Sequence, residues 1–228
     1  MPRLYTFTNG SIYHVYNRGV RKIKIYNNAS DYVRWENLLT WCLNYDYPYT
    51  GYINRLNELK SPVKQNAFQQ MIESSYRYKQ PLVEVLAYIE MPNHFHLVIE
   101  QMVDNGVSKF MQKLSTAYSM YINRKYDLSG AVFEGSYKTI PVVSDPQINQ
   151  LLIYVLRNPI KAGLATNKTI LQYKWSAIKE YLHKKERKVI SMRRLPDYFS
   201  DQAHLLEAIS DGEHSFDSNF LKEIAIDS

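Results

Sequence analysis

The chain has 228 residues, a net charge of +6 and a single cysteine. It contains no uninterrupted run of about 18 apolar residues, and its start lacks the apolar run of a signal peptide, so we expect a cytoplasmic protein without a membrane partner. The lone Cys42 excludes a disulfide framework and a cysteine-rich zinc module, and the length favours one main domain.

The positive charge is concentrated in the first 196 residues. Residues 197–228 contain eight acidic side chains and only one lysine, although the whole chain is basic. A domain this basic suits a polyanionic partner, because lysine and arginine side chains replace the counterions around phosphates. The 20 tyrosines add rings on which unpaired bases can stack. Charge by itself leaves a well-solvated surface as an equal alternative to nucleic-acid binding.

The first third of the chain contains one strand and one helix, followed by a region without clear periodicity. Residues 10–20 are rich in β-branched and aromatic side chains, which predicts a strand. Residues 28–45 carry apolar side chains at helical spacing, which predicts a helix. Residues 46–80 contain two prolines and several bases. We interpret them as an insertion with one helix near 63–75.

The rest of the chain shows a regular order of predicted elements. They are strands over 81–91 and 94–102, a helix over 107–126, a strand over 132–143, a helix that starts at Asp145 and ends at Pro159, and a helix over 175–185. Pro92 and Asn93 are a turn pair between the first two of these strands, which indicates a hairpin. The complete order predicts an α+β fold, in which helices pack on an antiparallel sheet.

His94 and His96 lie in one predicted strand, in which side chains alternate between the two faces. Both imidazoles therefore project from the same face, whereas Phe95 and Leu97 project from the other and anchor the strand. Two rigid ligands in this arrangement suit a divalent metal ion. Histidine pairs of this kind also arise by chance on exposed strands, so the pair alone leaves metal binding open.

Five separated segments resemble a known family. They are YHVYNRGV near the start, MPNHFHLVIE at 91–100, FEGSYK at 133–138, YVLRNPIKAGLA at 154–165 and YKWSAIKEYL at 173–182. In this order they resemble the REP-associated tyrosine transposases, a branch of the single-tyrosine HUH transposases. The resemblance implies the ferredoxin-like HUH endonuclease fold. It makes residues 1–190 the transposase domain, with 46–80 as the insertion, and 191–228 an acidic C-terminal extension.

The resemblance also implies an enzyme that nicks and rejoins single-stranded DNA, at hairpins or repeats, through a 5′-phosphotyrosine intermediate. In the family's pattern the nucleophile and the third metal ligand lie four residues apart on one helix, and Tyr154 and Asn158 match that pattern. Residues at this spacing share a helical face. His94, His96 and Asn158 would then hold Mg²⁺ or Mn²⁺, with Zn²⁺ as an alternative. We identify no general base, and a monomer and a homodimer both fit the resemblance.

Three other tyrosines compete with Tyr154 as the nucleophile. Tyr118 and Tyr121 lie on the apolar stripe of their helix, where core packing is the expected role, and Tyr137 in FEGSYK is expected to contact DNA. Cations predicted to bind DNA phosphates are Arg18, Lys109, Lys113, Arg124, Lys125, Lys138, Arg157 and Lys161, with a second patch at Lys184, Lys185, Arg187 and Lys188. Two rival functions stay open, namely a domesticated, non-catalytic nucleic-acid-binding protein of the same fold and a metal-dependent hydrolase that uses water instead of tyrosine.

Overall fold

Four antiparallel strands form the sheet of the protein. The computed structural model describes residues 6–183 and 188–211. The strands are β1 (Ile12–Arg18), β2 (Val83–Met91), β3 (His94–Gln101) and β4 (Lys138–Val142). Their order across the sheet is β2-β3-β1-β4, and every neighbouring pair is antiparallel. The predicted antiparallel sheet is therefore confirmed.

The helices follow the strands in a ferredoxin-like order. In the part of the chain that the structure describes, they are α1 (Ala29–Asn44), α2 (Tyr49–Glu58), α3 (Pro62–Tyr76), α4 (Gly106–Tyr126), α5 (Asp145–Lys161), α6 (Ile178–Leu182) and α7 (Gln202–Asp211). The series β1-α1-β2-β3-α4-β4, laid out with β1 and β3 in the centre of the sheet, is the split βαβ pattern. The α+β fold class is confirmed. None of the described helices combines the length and apolar content needed to cross a membrane.

Helices α1 and α4 cover one face of the sheet. Phe95 of β3 points to this side, and its ring centre lies 4.6 Å from that of Trp35 in α1. Tyr118 of α4 meets the same indole at 4.9 Å. All three side chains are almost fully buried, so the main core lies between the sheet and this pair of helices.

Helix α5 lies against the opposite face. The register pairs Tyr16 of β1 with His96 of β3, and His14 with Val98, and directly opposed residues share a face. The Tyr154 ring of α5 meets His14 and His96 there. The histidines predicted to bind metal therefore face α5, across the sheet from α1 and α4.

Helix α5 continues through Pro159 to Lys161, although the sequence predicts an end at the proline. Proline has no backbone N–H, so the carbonyl of Val155 loses its helical donor. The side-chain amide of Asn158 donates to this carbonyl at 3.2 Å and also to the carbonyl of Tyr154 at 3.0 Å. The first of these bonds takes the place of the missing one, which explains why the helix does not stop.

Residues 46–80 form two helices, α2 and α3, where the sequence predicts one. Aromatic contacts hold them to the domain. The ring centre of Tyr52 in α2 lies 4.3 Å from that of Trp41 in α1 and 5.8 Å from that of Phe68 in α3. Polar residues between these aromatic positions hide the helical period of α2 in the sequence.

Strand β4 and helix α6 are shorter than predicted. In the predicted strand 132–143, Phe133 makes only an isolated bridge with Gly19, and Gly135 adopts a φ of 68° that interrupts an extended chain. The ladder with β1 begins at Lys138. Within the predicted helix 175–185, the only α-helix among the described residues is α6. Residues 184 and 185, the last two of the predicted helix, lie outside the described part of the chain.

Candidate active site

His94 and His96 project from the same face of β3, as the strand alternation predicts, and their ring centres lie 5.2 Å apart. Nδ1 of His94 lies 2.7 Å from Oδ1 of Asn93. The Asn93 amide is oriented by its own nitrogen, which donates to the carbonyl of Lys22 at 3.3 Å. Because an amide oxygen only accepts, neutral His94 carries its proton on Nδ1 and its lone pair on Nε2.

His96 is fully buried, and only one of its ring nitrogens has a partner. Its Nδ1 lies 2.7 Å from Nε2 of His14, whereas its Nε2 is buried and has no hydrogen-bond partner among the described residues. Burial, followed by the charges of His14, His94 and Lys161, lowers the pKa of His96 well below its ordinary value. His96 is therefore neutral at physiological pH, which is the form of histidine that binds metal ions.

His14 belongs to this cluster although the sequence analysis does not single it out. Its ring is parallel to that of His96, with 5.0 Å between the ring centres and 4° between the planes. Burial lowers the pKa of His14 to about 3. The signal in the sequence is its position in YHVYNRGV, two residues before Tyr16 and thus on the same face of β1. Only the pairing of β1 with β3 identifies that face as the histidine face.

Tyr154 reaches the histidines of its own chain. Its ring centre lies 5.9 Å from that of His96 and 6.3 Å from that of His14, nearly edge-on to both. The tyrosine is 5% exposed and Asn158, one helical turn later, is 9% exposed. The carbonyls that Asn158 contacts require its amide nitrogen there. Its Oδ1 is therefore the atom that can bind a metal ion.

The donor set at this place fits a divalent cation if an amide is the third ligand. Among residues 6–183 and 188–211, no three His, Cys, Asp or Glu side chains are grouped so that they could hold a metal ion. Two imidazole nitrogens and the Asn158 oxygen would form a mixed set. The observation that favours the fit is the unpaired, buried Nε2 of His96. An unsatisfied buried polar atom costs about 1–3 kcal/mol, which coordination would offset.

Two of the alternative nucleophiles, Tyr118 and Tyr121, belong to α4 and lie across the sheet from the histidines. The hydroxyl of Tyr118 is buried and donates to the carbonyl of Ile25 at 2.7 Å. The hydroxyl of Tyr121 donates to Oδ1 of Asp31 at 3.0 Å. Both tyrosines thus have the packing role that their helical stripe predicts. Tyr137 is partly buried in the loop before β4, and its role in DNA contact stays a prediction.

Three of the predicted DNA-binding cations flank the histidine face. Arg18 shares a face of β1 with Tyr16 and forms an ion pair with an exposed glutamate of the loop before β4. Lys138 places its ammonium nitrogen 5.9 Å from the centre of the Tyr16 ring. Lys161 places its own 4.5 Å from the centre of the Tyr154 ring. The structure thus brings these three cations to the face that carries His96, and their contact with DNA stays a prediction.

The other predicted cations are not brought to this face. Lys109, Lys113, Arg124 and Lys125 all belong to α4, which packs on the opposite face of the sheet. Lys113 forms an ion pair with Asp46 at 2.9 Å, and Lys125 forms one with the buried Asp31 at 2.6 Å. Helical spacing shows which residues share a side of α4, but not which face of the sheet that helix covers.

Arg157 is buried, and its position explains how part of the acidic extension is attached. Its Nη1 donates to the carbonyls of Ile209 and Ser210, the latter at 3.0 Å, at the end of α7. A cation at a helix C-terminus interacts favourably with the helix dipole. Helix α7 is thus fixed to the tyrosine-bearing helix. In the second predicted patch, Lys184, Lys185 and Arg187 lie outside the described residues.

A family model described as "Transposase IS200 like" matches residues 52–158. This part of the chain is similar to the IS200-like transposases. The matched segment runs from α2 to Asn158 and contains His94, His96 and Tyr154. The resemblance predicted from the sequence is thereby confirmed over residues 52–158.

The chain was also compared with curated proteins and with solved structures. No curated protein matches the chain. Among solved structures, the chain is similar to one described as "Structure of the REP associates tyrosine transposase bound to a REP hairpin". The TM-score is 0.46 and the sequence identity 13%, and the alignment covers 78% of this chain and 81% of that chain.

Proposed function

We propose that the protein is a metal-dependent transposase that cuts and rejoins single-stranded DNA with Tyr154 as its nucleophile. The observation that carries this proposal is the 5.9 Å distance between the rings of Tyr154 and His96 in one chain. The unpaired Nε2 of His96 supports a cation at the same place. The family match supports transposition as the process.

The metal ligands in this proposal are His94, His96 and Asn158. Both imidazoles would bind through Nε2, because Nδ1 of each faces another side chain at 2.7 Å. Asn158 would bind through Oδ1. A set of mixed nitrogen and oxygen ligands suits Mg²⁺ or Mn²⁺, with Zn²⁺ as the alternative. When bound, the ion neutralises the negative charge that develops on phosphate oxygens in the transition state.

Tyr154 performs the strand transfer. Its Oη attacks the phosphorus of a phosphodiester, the Oη–P bond forms, and the bond between phosphorus and the 3′ oxygen breaks. The phenol loses its proton and the leaving 3′ oxygen gains one, so the upstream fragment of the cut strand ends in a 3′-hydroxyl. The downstream fragment is joined to Tyr154 through its 5′ phosphate. Attack of a 3′-hydroxyl on this ester rejoins DNA, because the aryl ester retains the bond energy.

The cations on the histidine face bind the DNA strand in this proposal. Arg18, Lys138 and Lys161 contact its phosphates, and Lys161, next to the Tyr154 ring, also stabilises the phenolate as it forms. The substrate is single-stranded DNA next to a hairpin, as the sequence resemblance implies. The tyrosine and its metal ligands come from one chain, so a monomer is sufficient for cleavage.

The test is covalent capture of DNA. The purified protein is incubated with Mg²⁺ or Mn²⁺ and oligonucleotides that contain hairpins and carry a label at either end. We expect a denaturation-resistant adduct only with the 3′-labelled strand, since the fragment downstream of the cut carries the 5′ phosphate. Tyr154→Phe should remove the adduct and leave DNA binding intact, whereas the control Tyr121→Phe should retain it.

Other results would contradict the proposal. Cleavage into two free fragments without any adduct would indicate a hydrolase that uses water. DNA binding without cleavage at any metal concentration would indicate a non-catalytic binding protein. An undiminished adduct in Tyr154→Phe would assign the nucleophile to another residue.

A further inference from the structure

The contact between His14 and His96 restricts where their protons lie. The two ring nitrogens are 2.7 Å apart, which is a hydrogen-bond distance and requires one proton between them. Both rings are fully buried. Either His14 donates from Nε2, or His96 donates from Nδ1. The two arrangements differ in whether Nε2 of His96 carries a proton or a lone pair.

Only one of the two arrangements allows His96 to bind a metal ion. If His14 donates, neutral His96 carries its proton on Nε2 and has no lone pair there. If His96 donates from Nδ1, its Nε2 carries a lone pair, and this is the atom that has no other partner in the structure. The hydrogen bond on one nitrogen of a ligating histidine thus determines the chemistry of the other nitrogen.

We infer that His14 is a positioning residue that accepts the Nδ1 proton of His96 and thereby presents Nε2 of His96 to the metal ion. The inference rests on the metal site of the proposed function. The planes of the two rings are only 4° apart, so the rings lie edge to edge around this hydrogen bond, which also restricts the rotation of the His96 ring. His14 does not touch the metal or the DNA in this scheme.

The neighbouring ligand is held in the same way. Oδ1 of Asn93 faces Nδ1 of His94 at the same distance of 2.7 Å. Each imidazole thus has one acceptor behind it, an amide oxygen for His94 and a buried imidazole for His96. Among the described residues, the acceptor that faces Nδ1 of the buried His96 ring is His14.

Metal affinity without DNA tests this role. The probe is Mn²⁺, whose binding to the full-length protein is measured by electron paramagnetic resonance. His14→Leu removes the acceptor, and we expect it to weaken Mn²⁺ binding by about 10- to 100-fold. His14→Gln retains an acceptor oxygen and should remain within a few-fold of the wild-type protein. The control is Val15→Ala, which leaves a cavity on the opposite face of β1, at the position after His14. It should lower stability without changing Mn²⁺ affinity.

The tautomer of His96 is a second readout, and it needs no His14 variant. Histidine-labelled wild-type protein saturated with Mg²⁺ should show, in long-range ¹H–¹⁵N correlation spectra, a His96 ring protonated on Nδ1 and unprotonated on Nε2. The signal is assigned by its loss in His96→Asn. A proton on Nε2 in the Mg²⁺-bound protein would overturn the inference, even if His14→Leu does not fold.

The results separate this inference from the proposed function. If His96→Asn leaves Mn²⁺ binding unchanged, the metal site itself is wrong. If His96→Asn abolishes binding but folded His14→Leu binds as tightly as wild-type protein, the metal site stands and the role of His14 is wrong. Weak binding in His14→Leu with recovery in His14→Gln supports both.

Discussion

The ammonium group of Lys161 lies 4.5 Å from the centre of the Tyr154 ring. The two residues are seven positions apart on α5, which places them on the same side of the helix. In the proposed mechanism, a cation at this place would favour the negative charge that the phenol oxygen gains before it attacks phosphorus.

We therefore expect Lys161→Met to slow formation of the covalent DNA adduct by about 10- to 100-fold. Lys161→Arg keeps the positive charge, and its rate of adduct formation should fall much less. The rates are compared at saturating DNA, so that a loss of phosphate binding does not contribute. Equal rates for wild-type protein and Lys161→Met would contradict the electrostatic role.

A second prediction concerns assembly. Because the Tyr154 ring lies beside His96 of its own chain, each chain should complete its own site. A mixture of Tyr154→Phe and His96→Ala proteins should form no more adduct than either variant alone. Recovery of activity in the mixture would show instead that the tyrosine helix is exchanged between two chains.

The buried Glu90 should make stability depend on pH. It lies on β2 opposite Phe95, and within residues 6–183 and 188–211 neither of its carboxyl oxygens has a hydrogen-bond partner. Burial, together with the charge of Glu36, raises its pKa well above the ordinary value, and Lys179 opposes this only in part. The folded state therefore binds this proton more tightly than the unfolded chain does, and stability falls as pH rises above the unfolded pKa near 4.5.

Glu90→Gln removes this ionisation while keeping the shape of the side chain. We expect its free energy of unfolding to rise relative to wild-type protein as pH increases from 5 to 8, by at most about 1.4 kcal/mol per pH unit. Urea unfolding at several pH values measures the difference. A difference that is constant across this range would show that Glu90 ionises in the folded state as it does in the unfolded chain.

Lys125 should matter for stability more than for DNA binding. It forms an ion pair at 2.6 Å with the fully buried Asp31. Burial raises the pKa of Asp31. Hydrogen bonds from Lys125, Tyr126, the backbone of Asn27 and another tyrosine lower this pKa by a larger amount, so the net shift is downward. The stability from this carboxylate is therefore present above its unfolded pKa near 3.8 and is lost as pH falls through the lower folded value.

Lys125→Met should lower the free energy of unfolding by about 2 kcal/mol at neutral pH, because a buried carboxylate loses a charged hydrogen-bond partner. Its acid unfolding should also begin at a higher pH. Lys109→Met, an exposed position on the same helix, is the matched control and should change stability by less than about 0.5 kcal/mol. If both variants unfold alike, the ion pair contributes nothing to stability.

Local spacing in the sequence predicts the parts of the site that lie within one element. Alternation in β3 places both imidazoles on one face, and the four-residue interval between Tyr154 and Asn158 places them on one side of a helix. The family resemblance predicts that this helix carries the nucleophile. The structure brings Tyr154 to the histidines, which spacing alone does not predict.

Features that depend on contacts between distant elements are not predicted from the sequence. His14 joins the site only because β1 pairs with β3 in one register. The cations of α4 lie on the far face because that helix packs against Trp35, which in turn contacts Phe95. Pro159 does not end α5 because the side chain before it replaces one hydrogen bond.

The most direct test of the whole account is to identify the residue that carries the DNA. Trypsin releases residues 139–157 as one peptide when it cuts after Lys138 and Arg157, and Tyr154 is the only tyrosine in that peptide. We expect mass spectrometry of the digested adduct to find the nucleotide on this peptide, only after incubation with a divalent metal ion, and never in His96→Ala. A nucleotide on any other peptide, or an adduct that forms equally well without metal, would contradict a tyrosine nucleophile at a metal site built on the histidine strand.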